Sequence, residues 1–404
     1  MKNNHQKKLL LLGGLRYLIP VIKAAHEQNY HVITCDYLPN NPAHKFSDEF
    51  HNISITDKEA VLNLAIKLKI DGILSFAVDP GVLTASYVAE KLNLPFNGSY
   101  ESVKILQNKA LFRKFLAENG FKVPKAKGYS KVEDALRDIN FFNWPIIIKP
   151  VDSAGSKGVS KIEKIEDLKE KIEYALKFSP SKNFIIEEFI TQKGFSSDAD
   201  CFSVNGKMMI YSFSDQYFDN KAPNPYAPSA YSFPSSQSVS AIDELKAELQ
   251  RLADLLNLKT GVYNIEIRED NVGNAYIMEV SPRGGGNRLS EMLRYATGVD
   301  LITSAVRSAV GDSIDDLKEP VYNGYWAEII LHSKKNGIFN EIEINSSIQE
   351  KIIEVDLWVN KGDKVNGFTG ANETIGTVVL NFNNEYEMKK VLLDYNEFIK
   401  VKIK

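Results

Sequence analysis

Cysteine and histidine are scarce in this chain of 404 residues, which holds two of the first and six of the second. Cys35 and Cys201 lie far apart and show neither a CxxC nor a Cys/His spacing, which argues against a disulfide scaffold or a zinc site. A reducing, cytoplasmic compartment is therefore expected. The histidines are mostly N-terminal and have no metal spacing, and no Ser/His/Asp or Cys/His constellation calls for nucleophilic catalysis. Charge of one sign is also lacking: the formal net charge of −3 gives no footprint for nucleic acid. No apolar run approaches the roughly 18 residues needed to span a membrane. The start, with Lys2, Lys7 and Lys8 ahead of Leu9–Leu12, imitates a signal peptide, but the run stops at Gly13-Gly14 without a cleavage site. It reads as a buried first strand. Internal repeats and low-complexity tracts are absent.

What remains is ordinary globular composition, 44% hydrophobic and 25% charged, in a chain too long for a single core. Up to about residue 100, short apolar runs alternate with helical patterns, which predicts a parallel α/β region. Gly13-Gly14 and Asp36 imitate a dinucleotide fingerprint, but the full GxGxxG is missing. A small ligand at the strand ends would bring Arg16, Asp79 and Asn97 near it; each also fits as a loop cap. Residues 101–120 predict one amphipathic helix. Residues 215–236, with Pro223, Pro225, Pro228 and Pro234, predict a long ordered loop serving as a lid.

Three segments carry chemistry. Ile146–Ile162 reads as a strand ending in Lys149, a loop of small residues and a returning strand. Ser153, Gly155, Ser156, Lys157 and Gly158 offer the hydroxyls, charge and free backbone N–H groups of a phosphate cradle, although a surface hairpin fits the same residues. "FIIEEFI" places Glu187 or Glu188 inward, where a buried carboxylate needs a partner such as an adenine amine; two solvated glutamates on an edge strand is the alternative. The third segment, Tyr263–Glu291, predicts a hairpin turning at Asp270–Asn274, so that Glu266 and Glu279 fall nearly opposite one another. Two like charges about 5 Å apart at an effective dielectric near 20 repel by about 3 kcal/mol. A Mg²⁺ ion would offset that repulsion, and Arg283 with Gly284–Gly286 would then face the reacting group. A solvated hairpin is the other reading, weakened by the apolar Ile277, Met278 and Val280.

Taken in order, these pieces resemble the ATP-grasp superfamily over essentially the whole chain. The resemblance rests on an α/β lead region, Lys109 in "NKALFRKFL", Lys149 before the glycine loop, "IEEFI", Glu266 with Glu279, and "SPRGGGN". It implies a multidomain α/β and α+β fold. The expected parts are a Rossmann-like domain at 1–108, a two-lobed ATP-grasp domain at 109–320 (lobes about 121–188 and 189–320) and a small β-rich domain at 321–404. It further implies that Lys109 and Lys149 contact ATP phosphates under the loop Ser153–Gly158. Glu187 would bind the adenine amine, with Glu188, Phe189 and Ile190 completing the base pocket. Glu266 and Glu279 would hold Mg²⁺, with Mn²⁺ as a substitute, and Arg283 would stabilise the acyl phosphate. Two departures from the family pattern stand out. Ser196 occupies the place of a ribose-binding acid, leaving Asp198 or Asp200 or neither for that contact. Ser281 replaces a frequent asparagine metal ligand, with Asn287 as the alternative.

The activity implied is an ATP-dependent carboxylate–amine ligase. It would activate a small carboxylate as an acyl phosphate and couple it to an amine, without nucleic acid or membrane partners and with a homodimer as the default state. The alternative is a bicarbonate- or formate-activating enzyme resembling carbamoyl-phosphate synthase. A nucleotide-binding scaffold without turnover is disfavoured, because every charged position of the site is filled.

Overall fold

The computed structural model describes residues 6–404; Lys2 of the charged start lies outside them. Leu9–Leu12 are fully buried in the strand Lys8–Leu12, as its unbroken apolar run dictates for a strand covered on both faces. It sits inside a four-stranded sheet, parallel to His31–Cys35 on one side and Gly72–Leu74 on the other. A short strand, Glu49–His51, completes the edge and has no clear sequence signal. Helix Asp79–Leu92 starts shortly after the last strand, so Asp79 stands at a strand's carboxyl end.

The segment 101–120 differs from expectation. It forms two helices, Tyr100–Gln107 and Lys109–Glu118, broken at Asn108, whose backbone is extended. The Asn108 carboxamide accepts hydrogen bonds from Ala110 N and Leu111 N, so it caps the second helix and sets Lys109 at its first position. The strands Ile146–Pro150, Ser160–Ile162, Phe184–Glu188 and Ala126–Tyr129 form one antiparallel sheet.

A second four-stranded sheet joins Lys207–Phe213, Ser197–Val204, Gly261–Glu269 and Ala275–Ser281. Its inner face, with Ala199, Cys201, Tyr263, Ile265 and Val280, packs on Phe112, Leu116 and the helix Val239–Leu255.

Residues 215–236 are not a loop lid. Asp215–Phe218 and Pro228–Phe233 are paired strands that enter a five-stranded sheet with Tyr325–Leu331, Gly376–Phe382 and Ile352–Leu357. The prolines occupy the tip, the first residue of the second strand and the residue after it, places where a missing N–H breaks no ladder. Among the described residues no helix is long and apolar enough to cross a membrane.

Candidate active site

The outer face of the second sheet holds two straight cross-strand rows. Glu266 opposes Asp198 on one side and Glu279 on the other; Asn264 opposes Asp200 and Ser281 in the same way. Opposed residues share a face, so four carboxylates and two polar side chains stand together. The glutamate pairing depends on a bulge. Ile267 pairs with Ile277, and a register shift beside it leaves Met278 unopposed and brings Glu279 across from Glu266.

Cations already neutralise this pair. Lys109 Nζ lies 3.1 Å from Glu279 Oε2 and donates at 3.0 Å to the Ser153 carbonyl, while Arg268 Nη2 is 3.3 Å from Glu266 Oε1. Burial pushes the Lys109 ammonium down, but Glu279 and Asp79 outweigh that and hold it above its ordinary value. Asp198, which accepts from Asn264 Nδ2 at 2.7 Å, is held well above the carboxylate range by burial, Asp200 and Glu266. Asp200 is raised by burial and accepts from Gly285 N and the Ser290 hydroxyl. Carboxylate oxygens gathered on one face, with Lys109 beside them, suit a divalent cation that arrives with phosphate oxygens. They do not form a complete cage: among the described residues no three His, Cys, Asp or Glu side chains gather tightly enough to hold a metal. Ser281, expected as a third ligand, accepts from Gln107 Nε2 at 2.7 Å and donates to Asp79 Oδ1 at 3.0 Å. Asn287 is turned to the Tyr17 and Tyr231 hydroxyls.

Arg283 is gripped by Asp79: Nε donates to Oδ1 at 2.8 Å and Nη2 to Oδ2 at 2.7 Å. Its Nη1 donates to Asn264 Oδ1 and the Gly284 carbonyl. Asp79 was expected beside a lead-region ligand and instead completes this site. Arg16 and Asn97 do not join it: Arg16 pairs with Asp356, and Asn97 Nδ2 ties down the Val262 and Pro282 carbonyls. The space beside Gly284–Gly286 is partly filled. A Cβ at Gly284 would strike the Phe76 ring and one at Gly285 would strike Asn264, Leu289 and Asp200, whereas Gly286 faces open space.

Lys149 and Glu187 form a buried ion pair at 2.9 Å, and Arg113 Nε lies 2.9 Å from the other Glu187 oxygen. Glu187, expected to receive an adenine amine, thus faces two cations. Burial alone would raise its carboxyl, but Arg113 and Lys149 prevail and bring it down to about 2. Arg113 was missed in the sequence, although it sits four residues after Lys109 on one helix face, a spacing that could have revealed it. Glu188, Phe189 and Ile190 follow as a half-buried ledge; Glu188 accepts from Asn143 N, and Phe189 N donates to the Pro145 carbonyl.

The loop Ser153–Gly158 joins Lys149 to the returning strand, with Gly155, Ser156 and Gly158 at positive φ. Gly158 is obligatory, because a Cβ there would meet Pro150 at 2.8 Å. The tip of the hairpin 215–233 reaches this loop: Asn224 Nδ2 faces the Ser156 carbonyl at 3.5 Å and Tyr226 Oη accepts from Lys161 N at 3.3 Å. Lys157, expected to take part in a phosphate cradle, lies half-buried in this loop.

Residues 142–291 match the family model described as an ATP-grasp domain. The large chain of carbamoyl phosphate synthase from Thermoanaerobacter sp. (strain X514) is 26% identical over 249 residues, covering 60% of this chain and 22% of that protein. The same enzyme chain from Helicobacter pylori (strain ATCC 700392 / 26695) is 27% identical over 265 residues, covering 65% and 24%. The chain thus spans about a quarter of the length of these relatives. Among solved structures, an L-amino acid ligase from Bacillus licheniformis superposes with a TM-score of 0.83 at 18% identity, covering 99% of each chain. Phosphoribosylglycinamide synthetase from Anaerococcus prevotii gives 0.76 at 19% identity, covering 99% of this chain and 100% of that one.

Proposed function

We propose that this chain, whose residues 142–291 match the family model of an ATP-grasp domain, is an ADP-forming carboxylate–amine ligase acting on small molecules in the cytoplasm. The observation that carries this reading is Lys109, held between the Glu266–Glu279 pair and the Ser153–Gly158 loop, where nucleotide phosphates and their cation would replace it as the partner of the carboxylates.

In this reading Lys109 and Lys149, with the backbone of Ser153, Gly155, Ser156, Lys157 and Gly158, bind and orient the phosphates of ATP. Glu188, Phe189 and Ile190 form the ledge for the base, with Glu187 behind it fixing Lys149. Glu266 and Glu279 hold Mg²⁺, which when bound supplies positive charge to the phosphate oxygens. A substrate carboxylate attacks the γ-phosphate, releasing ADP and leaving an acyl phosphate, and an amine then displaces phosphate to give an amide. Such chemistry needs positioning and charge neutralisation more than a nucleophile–base pair. The remaining Nη2 hydrogen of Arg283 is aimed by Asp79 for the anionic group. ADP release with amino acids, simple acids, bicarbonate and formate, with hydroxylamine trapping the acyl phosphate, tests the reading. No ADP release with any of them, from protein that binds Mg·ATP, would refute it.

A further inference from the structure

Gln216, Tyr231 and Glu328 form a third straight row, directly opposed across neighbouring strands of the five-stranded sheet. Their face is the one that packs Tyr231, Phe233 and Ile330 against Leu289 and Met292, just past the glycine loop. Glu328 is fully buried, and neither carboxylate oxygen has a hydrogen-bond partner; Gln216 Oε1 shares that condition. Buried acceptors are nearly always satisfied, so three orphans in one row call for a donor.

The neighbouring charges do not provide it. Arg288 is committed elsewhere: Nη1 donates to Glu354 at 2.6 Å and Thr377 at 2.8 Å, and Nη2 pairs with Glu291 at 3.2 Å. Tyr295 also donates to Glu354. Glu328, Glu291 and Glu354 therefore face a single guanidinium. Burial pushes the Glu328 carboxyl up to about 8, with Arg288 lowering it and Glu291 and Glu354 raising it. Tyr17, on the same side, has its hydroxyl pushed far up by burial and by Glu328.

This row communicates with the reacting centre. Asn287 follows Gly286, the one glycine of the loop that faces open space, and its Nδ2 donates to the Tyr231 hydroxyl at 2.9 Å while its Oδ1 accepts from Tyr17. Tyr17 and Asn287 are half-buried, and Tyr17 lies close enough to Glu328 to feel its charge.

We propose that Glu328, flanked by Gln216 and Tyr231, receives the ammonium group of the substrate, so that the compound activated or coupled here is an amine-bearing carboxylic acid. An ammonium offers three donors and no acceptor, which matches three orphaned acceptors around a surplus of negative charge. A bare metal ion fits less well, since no cluster of three metal-binding side chains exists among the described residues. The inference rests on the ligase reading and narrows it: bicarbonate, formate and simple acids have nothing to place on Glu328. Binding displaces the carboxyl proton to solvent as the ammonium takes its place.

The test compares L-amino acids with their deaminated counterparts (propionate for alanine, 3-phenylpropionate for phenylalanine), and with bicarbonate and formate, reading ADP release. Amino acids are expected to drive release and the others to fail. Glu328→Gln should lower kcat/KM for the best amino acid by about 100-fold, chiefly through KM, and leave KM for Mg·ATP unchanged. Titration calorimetry in buffers of different ionisation enthalpy, on wild-type protein with Mg²⁺ and a non-hydrolysable ATP analogue, should show proton release on amino-acid binding near pH 7. Glu328→Gln at wild-type kcat/KM, a deaminated acid or bicarbonate as effective as any amino acid, or binding without proton release overturns the assignment while the ligase reading stands. Wild-type protein that fails to bind Mg·ATP overturns the ligase reading itself.

Discussion

Asp79 grips Arg283 through two parallel hydrogen bonds of 2.8 and 2.7 Å, joining the first turn of an N-terminal helix to the loop after the glutamate hairpin. The fork fixes the guanidinium plane, as bidentate geometry does, and joins the parallel-sheet region to the carboxylate face. Burial tends to raise the Asp79 carboxyl, but Arg283 and Ser281 prevail and hold it below its ordinary value.

Asp79→Asn should therefore destabilise the protein by about 3 kcal/mol at pH 7, because it leaves a buried guanidinium unpaired. Since the folded carboxyl is depressed, its contribution is complete above about pH 4 and fades as pH falls through the folded value. Denaturant unfolding of both proteins should show a gap at pH 7 that narrows at pH 3. Equal stability at pH 7 would show the pair to be inconsequential.

The partnership could not be read from sequence. It spans 204 residues, and neither side carries a local pattern that names the other. Short-range geometry was far more legible. The Asp270–Asn274 turn fixes where the hairpin reverses, so Glu266 and Glu279 could be placed nearly opposite each other by counting, to within the one residue that the bulge supplies. The bulge at Met278 that completes their alignment left no compositional mark. Pro223, Pro225, Pro228 and Pro234 misled for a physical reason: they suggest a loop, yet each occupies a position where a strand pair needs no N–H. Asn108 was read as helix interior because the apolar periodicity runs through it; its capping role depends on a backbone break that periodicity cannot register.

That break gives a second prediction. Asn108→Ala removes the acceptor for two helix N–H groups and should cost about 1 kcal/mol. The lost cap also loosens Lys109, so the affinity for Mg·ATP should fall, while Asn108→Ser restores stability and most of the affinity. Thermal unfolding and nucleotide titration of the three proteins decide it. An Asn108→Ala protein as stable as wild type would refute the cap.

Glu187 predicts the acid limit of the fold. Its carboxyl falls to about 2 beside Arg113 and Lys149, against an unperturbed value near 4.5. It thus supplies stability that is complete above about pH 4.5 and disappears as pH drops toward 2, on the order of 3 kcal/mol in all. Glu187→Gln should lower stability at pH 7 and flatten the dependence between pH 4.5 and 2. An unchanged pH profile would mean that other carboxylates govern acid unfolding.

Lys109 and Glu279 offer the sharpest test of the site, because the same 3.1 Å contact has opposite meanings for stability and for turnover. As a structural ion pair, removing either partner alone leaves the other uncompensated, and the double variant Lys109→Met/Glu279→Gln should recover part of the loss. As parts of a phosphate site they act on different ligands: Glu279 on the cation, Lys109 on the phosphate oxygens. Their effects on ADP formation should then not cancel. Glu279→Gln is expected to reduce ADP formation by about 100-fold or more and to raise the Mg²⁺ concentration needed for half-maximal rate. Lys109→Met should weaken Mg·ATP binding without shifting that Mg²⁺ dependence, and the double variant should be at least as inactive as the worse single one. Stability recovered together with activity in the double variant would reduce the pair to a structural contact, and an active Glu279→Gln protein would move the metal assignment off this hairpin.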